Sequence, residues 1–492
     1  MRHSRFSLLK FLTPALALCV SAAPVLAGTQ ERPNVVWIIS DDLGPELGCW
    51  GYPGVSTPNI DRLAREGTRY TQAFSSAPVC SASRTAFQTG QYQTTVGGHH
   101  HETHDKPVLT DETPTVVGLM REAGYFTSNG DGTKESIGKK WAKSHFNFVY
   151  KDETFFDGQD WSQRAEGQPF FAQVQIKEPH RDFVENTKKR PLSPIPPYYP
   201  EHPVTRADWD NYLASIEVLD RHVGEVLDRL DAEGLTDDTL VFFFGDHGRP
   251  HVRDKQWLYE GGLHTPMIAR WPGKVPAGVT TDHFASLLDL MPTTLVAAGA
   301  KLPELPGKNL FAPDWKGHEK IFAARDRCGD AVDRIRSVRN SRFKYIRNYH
   351  PEKSYMQLSS YKKLQYPVDT LMRILHAEGK WDGPFMAETR PVDELYDLKN
   401  DPYELNNLAA NPDYAKQLKE LSSAVDEWIV DTGDKGEIEE SLTVDLPALF
   451  ESKRISYYEG TMKKRGLDPA ISDKDYLDWW QKELHLDPAK AR

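Results

Sequence analysis

Two short runs, Asn34–Ser40 and 239–244, are apolar at nearly every position, the pattern of strands covered on both faces in a parallel sheet. Both run directly into charge, Asp41-Asp42 after the first and Asp246-His247 after the second. Phe170–Ile176 reads as another buried strand and Thr68–Phe74 as an extended segment. Helical spacing takes over elsewhere: Leu213, Ile216, Leu219, Val223 and Val226 line one face of a helix predicted over 209–230. Thr57 with Pro58 marks a hydroxyl-capped helix start that Gly67 is placed to end, and 113–123 is a further helix. A helix opening over 84–90 would set Cys80 at its positively polarised N-terminal end. Strands alternating with helices predict an α/β fold on a mostly parallel central sheet.

From Pro303 the pattern changes to proline-rich linkage and then to short alternating strands at 320–324, 334–338 and 343–349, closed by a helix over 414–430. This predicts a smaller C-terminal α+β subdomain with an antiparallel sheet. The organisation expected is a signal peptide at 1–27, a catalytic domain at 32–310, the subdomain at 311–432 and an extension at 433–492. That extension, which holds Tyr457, Tyr458, Trp479 and Trp480, is expected to wrap the surface and to carry no chemistry.

Arg2, His3, Arg5 and Lys10 precede an apolar stretch at 11–27 that ends Val25-Leu26-Ala27, the layout of a cleavable secretory signal. The expected location is therefore exported, periplasmic or secreted, with no membrane attachment after cleavage. A retained anchor is disfavoured because Pro14 and Pro24 interrupt a stretch already short for a span. Of four cysteines, Cys49, Cys80 and Cys328 lie beyond it, and a Cys49–Cys328 disulfide would leave Cys80 free, although sequence does not set the pairing. The 39% hydrophobic and 27% charged composition is that of a soluble globular protein, and a formal charge of -11 speaks against a nucleic-acid partner.

An anionic substrate would need a positive pocket set within this acidic surface. Asp41, Asp42 and Asp246 with His247, delivered by two strand ends, form a donor set that repels itself unless a divalent cation neutralises it. Mostly oxygen ligands favour Ca²⁺ over Zn²⁺. His99, His100, His101 and His104 crowd one stretch that suits an anion pocket, a metal tract or a polar loop.

Cys80-Ser81-Ala82-Ser83-Arg84 resembles the modification signature of type I sulfatases, in which the cysteine is oxidised to formylglycine. Asp41-Asp42, that run and Asp246-His247-Gly248 stand in the order seen in this family, where they supply the metal ligands and the modified nucleophile. The resemblance covers most of 32–430, leans to the N-sulfoglucosamine sulfohydrolase-like and bacterial polysaccharide sulfatase branch, and implies an alkaline-phosphatase-like sandwich. It implies Ca²⁺ held by Asp41, Asp42, residue 80, Asp246 and His247, with Arg84 holding the hydrated aldehyde. A thiol is a poor attacker at sulfur, because its adduct has no easy exit. A hydrated aldehyde carries two hydroxyls on one carbon, so one attacks and loss of the other's proton expels sulfate.

Further residues follow from the resemblance. Glu178-Pro179-His180 is similar to the family's strand followed by Pro-His, whose histidine meets the sulfate or the leaving group, and Lys255 matches a sulfate-binding lysine. The family's Gly-Lys-x-His does not follow Gly124-Tyr125-Phe126-Thr127; the nearest Lys-x-His is Lys143-Ser144-His145, with Lys134 and Lys139 as rivals. His145 and His180 are the candidate acid and base, in interchangeable roles, and His101 is a candidate substrate contact.

The implied activity is hydrolysis of sulfate esters, or of N-sulfate, on a saccharide. The implied partners are a sulfated saccharide and a formylglycine-generating or anaerobic sulfatase-maturating enzyme. A phosphomonoesterase or phosphodiesterase of the same fold would use Ser or Thr and two transition metals. A glycan-binding protein without catalysis would keep Cys80 as a thiol.

Overall fold

The computed structural model describes residues 1, 32–133, 135 and 139–486. Residues 2–27 of the expected signal segment, Cys19 among them, and Lys134 lie outside these residues. Among the described residues no helix is long and apolar enough to cross a membrane.

The first eight strands are β1 (Asn34–Ser40), β2 (Thr68–Phe74), β3 (Phe126–Gly130), β4 (Phe170–Ile176), β5 (Thr239–Gly245), β6 (His264–Arg270), β7 (Val279–Thr281) and β8 (Ala285–Ser286). They form one sheet in the order β3-β4-β1-β5-β6-β2-β7, with β8 also on β2. The β3, β4, β1 and β5 neighbours run parallel, and β6 lies antiparallel to both β5 and β2. Two apolar layers sandwich the sheet, because alternate β1 residues serve opposite faces: Val36 and Ile38 face the long helix Pro203–Ala232, Val35, Trp37 and Ile39 the other layer. Each fully buried side chain of this kind contributes about 1.5–3 kcal/mol, so the central strands are held rigidly.

Four further strands, β9 (Ile321–Arg325), β10 (Ile335–Arg339), β11 (Phe343–Asn348) and β12 (Asp393–Asp397), make the antiparallel sheet in the order β12-β11-β10-β9. Ile321, Ala323, Ile335, Ile346 and Tyr396 join the same apolar cluster as Val36 and Ile38.

Several local expectations shift. The cysteine helix, α2, spans Cys80–Thr89 and so opens at Cys80 itself, four residues earlier than read. The helix read at 113–123 is Val116–Glu122, and the one read at 209–230 extends to Pro203–Ala232, with Pro203 in its first turn and the His202 ring accepting from the Val204 N–H. Thr57 does not cap α1 (Pro58–Glu66). Its hydroxyl instead accepts from the Gly48 N–H at 2.9 Å and donates to Asp61 at 2.9 Å, tying the preceding turn to the helix.

Cys49, Cys80 and Cys328 are all free. The disulfide weighed from sequence does not form, because Cys328 is packed with Ala77, Val79 and Ala82 beneath α2 while Cys49 lies on the turn beside Asp61. The C-terminal extension also does more than wrap: Met462 and Tyr476 pack on Leu364, and Leu477 on Val204 and Leu371.

Candidate active site

Pairing register builds the site. Ser40 of β1 is opposite Gly245 of β5 on one side and Ile176 of β4 on the other, so the chain leaves three adjacent parallel strands at one level. Ligands of open α/β sheets bind at such carboxyl ends. Asp41-Asp42, Asp246-His247 and the loop carrying His180 thereby converge. Asp42 takes a left-handed backbone (φ 66°), a strained state for a residue with a side chain, and its N–H donates to Asp246 Oδ1 at 2.9 Å. Carboxylate oxygens of Asp41, Asp42 and Asp246 lie within 4.8 Å of one another, all buried.

The two-strand separation of the acids by some two hundred residues closes onto α2. Cys80 is its first residue and buried, with Sγ 3.4 Å from His247 Nε2, 3.5 Å from Asp42 Oδ1 and 3.5 Å from Lys255 Nζ. One turn on, Arg84 donates through Nε to Asp246 Oδ2 at 2.9 Å, through one terminal nitrogen to Asp41 Oδ1 at 3.3 Å and through the other to Gln175 Oε1 at 2.6 Å. One guanidinium therefore locks the acids of both strand ends to the cysteine helix.

Lys255 donates to both oxygens of Asp42, at 2.7 and 2.6 Å, and Lys143 to Asp41 Oδ2 at 2.5 Å. Of Lys143 and Lys139, Lys143 is thus the one that enters, although the family spacing is interrupted; Lys139 is exposed. His180 Nε2 is 3.9 Å from Asp42 Oδ2. His145 Nε2 is 3.6 Å from Glu102 Oε1, and its ring meets that of His101 edge-on at 5.8 Å. All eleven residues singled out from sequence gather here, His101 through its neighbours Glu102 and His145. Beside Asp41 opens a cavity of about 410 Å³, lined by Arg84, Lys143, Gln175, Glu178 and His222.

Charge pairing overrides burial at the acids and at His247. Burial opposes the ionised carboxyls of Asp41 and Asp42, yet Lys143 and Arg84 at the first and Lys255 at the second hold both well below the usual carboxylate range. Burial likewise opposes a charged His247, but Asp246 and Asp42 keep it well above its ordinary value. Burial and Asp41 push the Cys80 thiol up, Lys143 and Lys255 pull it down, and the net direction is down, toward thiolate. Burial, aided by Lys255, lowers His180; for His145 the neighbouring Cys80 and Glu102 outweigh burial and raise it. The two imidazoles are thus pushed in opposite directions.

The donors suit a hard divalent cation: three carboxylates face one point, and His247 Nδ1–H donates to the Gly248 carbonyl at 2.9 Å, which turns Nε2 toward Asp42 and residue 80.

Sequence reasoning missed Gln175, Glu102 and Tyr361. Gln175 had a signal, since a glutamine in the fully buried run of β4 needs a polar partner. Glu102 follows the histidine run directly. The Tyr361 ring, 5.1 Å from Lys255 Nζ and 6.2 Å from the His180 ring, comes from a helix with no motif to mark it.

His99 and His100 carry a separate consequence. Burial, with neighbouring Arg336 and His99 respectively, pushes both down to about 4. Below their unfolded value of 6.5 the unfolded chain binds protons that the folded chain refuses, so their contribution is present above pH 6.5 and lost as pH falls toward 4. His99→Phe should lose a few kcal/mol less stability than wild type between pH 7 and pH 4.5, read by denaturant unfolding at both values. Equal losses would contradict this.

The family model described as Sulfatase matches residues 33–300, and that described as N-sulphoglucosamine sulphohydrolase, C-terminal, matches 245–364. An ulvan-active sulfatase of Formosa agariphila is 32% identical over 467 residues, 84% of this chain and 77% of that protein. Human N-sulphoglucosamine sulphohydrolase is 27% identical over 488 residues, 85% of this chain and 94% of that protein. A solved structure described as a complex with its substrate D-glucosamine-2-N,6-O-disulfate has the same fold, with a TM-score of 0.59 at 20% identity over 83% of this chain and 100% of that one.

Proposed function

Since the chain belongs to the sulfatase family and is a sulfuric ester hydrolase of sulfated carbohydrates, we propose that it works through formylglycine made from Cys80 and a bound Ca²⁺. The observation that supports this most is the meeting of Asp41, Asp42 and Asp246 oxygens within 4.8 Å, with the Cys80 side chain 3.5 Å from Asp42. Asp41, Asp42, Asp246, His247 and residue 80 would hold the cation. When present, the hydrated aldehyde offers one hydroxyl to take the sulfuryl group and a second whose proton must leave, while the cation screens the sulfate charge.

The chain's own residues do the rest. Arg84, Lys143 and Lys255 place three positive charges around residue 80, so the sulfate oxygens meet preorganised donors instead of water. His180 lies beside Lys255 and Tyr361 and acts at the leaving oxygen. His145, beside residue 80 and 3.6 Å from Glu102, takes the proton there. The one-imidazole, oxygen-rich donor set disfavours the phosphatase alternative with two transition metals.

The likeness to the ulvan-active relative makes ulvan the first substrate to test, with N-sulfated glucosamine second. The protein is exported to the periplasm or beyond, and matured at residue 80 by a formylglycine-generating or anaerobic sulfatase-maturating enzyme. Sulfate release should be measured across ulvan, heparan, chondroitin and carrageenan oligosaccharides and 4-nitrophenyl sulfate. The expected result is release from the aryl ester and selectively from one saccharide class, with ulvan first. No release from any of them would overturn the assignment.

A further inference from the structure

We propose that Glu102 is a positioning residue: its carboxylate orients the His145 imidazole, and the C-terminal extension holds Glu102 in place through Lys453. This rests on the reading of His145 as a proton-transfer group.

Five observations point to Glu102. Its Oε1 lies 3.6 Å from His145 Nε2, a charge contact longer than a hydrogen bond, and its Oε2 lies 3.2 Å from Lys453 Nζ. Glu102 and His145 both take left-handed backbones, at φ 54° and 58°, a state that non-glycine residues keep only where surroundings over-determine it. The surroundings do so here. The Glu102 N–H donates to Ser81 Oγ at 2.9 Å, beside the modified position, and its carbonyl accepts from Arg327 at 3.4 Å. Arg327 in turn accepts from the His101 N–H at 2.8 Å and is clasped by Glu440 of the extension at 2.5 and 2.8 Å.

The chemistry follows the carboxylate–imidazole pairs of nucleophilic enzymes. His145 Nδ1 is buried without a partner. A carboxylate accepting from Nε2–H fixes one tautomer and leaves Nδ1 with its lone pair free to take a proton, and it stabilises the imidazolium that results. The Glu102 side chain is 52% exposed on its own. A saccharide covering it would remove water from the contact, so the hydrogen bond tightens when it is needed. Lys453 prevents the carboxylate from swinging out, which gives the extension a place in the site that its sequence did not announce.

The test compares Glu102→Gln, Glu102→Asp, Lys453→Met and His145→Gln in the full chain with 4-nitrophenyl sulfate. It also compares their ¹⁵N-histidine spectra at pH 8, in which His145→Gln identifies the His145 signals. We expect Glu102→Gln to lower kcat about 10- to 100-fold with KM within about threefold, Glu102→Asp to recover part of that loss, and Lys453→Met to lose severalfold. In the spectra His145 should carry its proton on Nε2 in wild type and be mixed between nitrogens in Glu102→Gln. Should Glu102→Gln fail to fold, Glu102→Asp and Lys453→Met give the same reading through partial losses. If His145→Gln lowers kcat but the Glu102 and Lys453 variants change neither kcat nor the His145 signals, the positioning role is wrong and the reading of His145 stands. If His145→Gln itself leaves kcat at wild-type level, the role of His145 falls, and that of Glu102 with it.

Discussion

Cys80→Ala should hydrolyse 4-nitrophenyl sulfate at least about 10⁴-fold more slowly than wild type, because it removes the side chain placed at the cation site to become the nucleophile. The neighbouring hydroxyls have other duties. Ser83 donates to the Asp246 carbonyl at 2.5 Å and accepts from Ser75 at 2.9 Å, and Ser81 accepts from the Glu102 N–H. Neither can turn to the substrate without breaking a bond that holds the site. The fold should barely notice, since removing one sulfur from a small buried side chain costs about 1 kcal/mol. Turnover measured beside thermal unfolding separates the two effects. Near-wild-type turnover would require another nucleophile and contradict the proposed chemistry.

Asp246 carries the second large effect, because it is bound to both halves of the site. Its side chain accepts from Arg84 Nε at 2.9 Å and from the Asp42 N–H at 2.9 Å, all at positions closed to water. Asp246→Ala leaves Arg84 buried with part of its charge unpaired, a loss of about 3–5 kcal/mol of stability. Asp246→Asn keeps the shape and should fold, yet it removes one negative charge from the cation's donors. In wild type, added Ca²⁺ should raise the unfolding temperature and a chelator lower it, as any ligand of the native state does. That response should be lost in Asp246→Asn together with turnover. An equal Ca²⁺ response in wild type and Asp246→Asn would place the cation elsewhere.

What was legible in the sequence was what local physics fixes. Apolar runs without alternation are strands covered on both faces, and charge placed directly after them marks the sheet's carboxyl edge; β1 and β5 announced Asp41, Asp42, Asp246 and His247 in this way. Register added the rest, since Ser40 opposite Gly245 and Ile176 is a long-range fact that no local pattern carries. Lys143 shows the same limit: the interrupted Lys-x-His spacing left three rival lysines, and the contact with Asp41 chose between Lys143 and Lys139. Glu102 and Lys453 are 351 positions apart and meet only because the extension folds back over the histidine loop. Helix ends also moved where side chains found better partners than the backbone. Thr57 is the example, its hydroxyl spent on Gly48 and Asp61 and not on the first turn of α1.

The most direct test is the mass of the peptide that contains residue 80, taken from a preparation that releases sulfate. Conversion of the thiol to an aldehyde predicts a peptide about 18 Da lighter than the encoded one. A peptide at the full encoded mass in protein that turns over at its normal rate would show that an ordinary cysteine suffices, and would contradict the account.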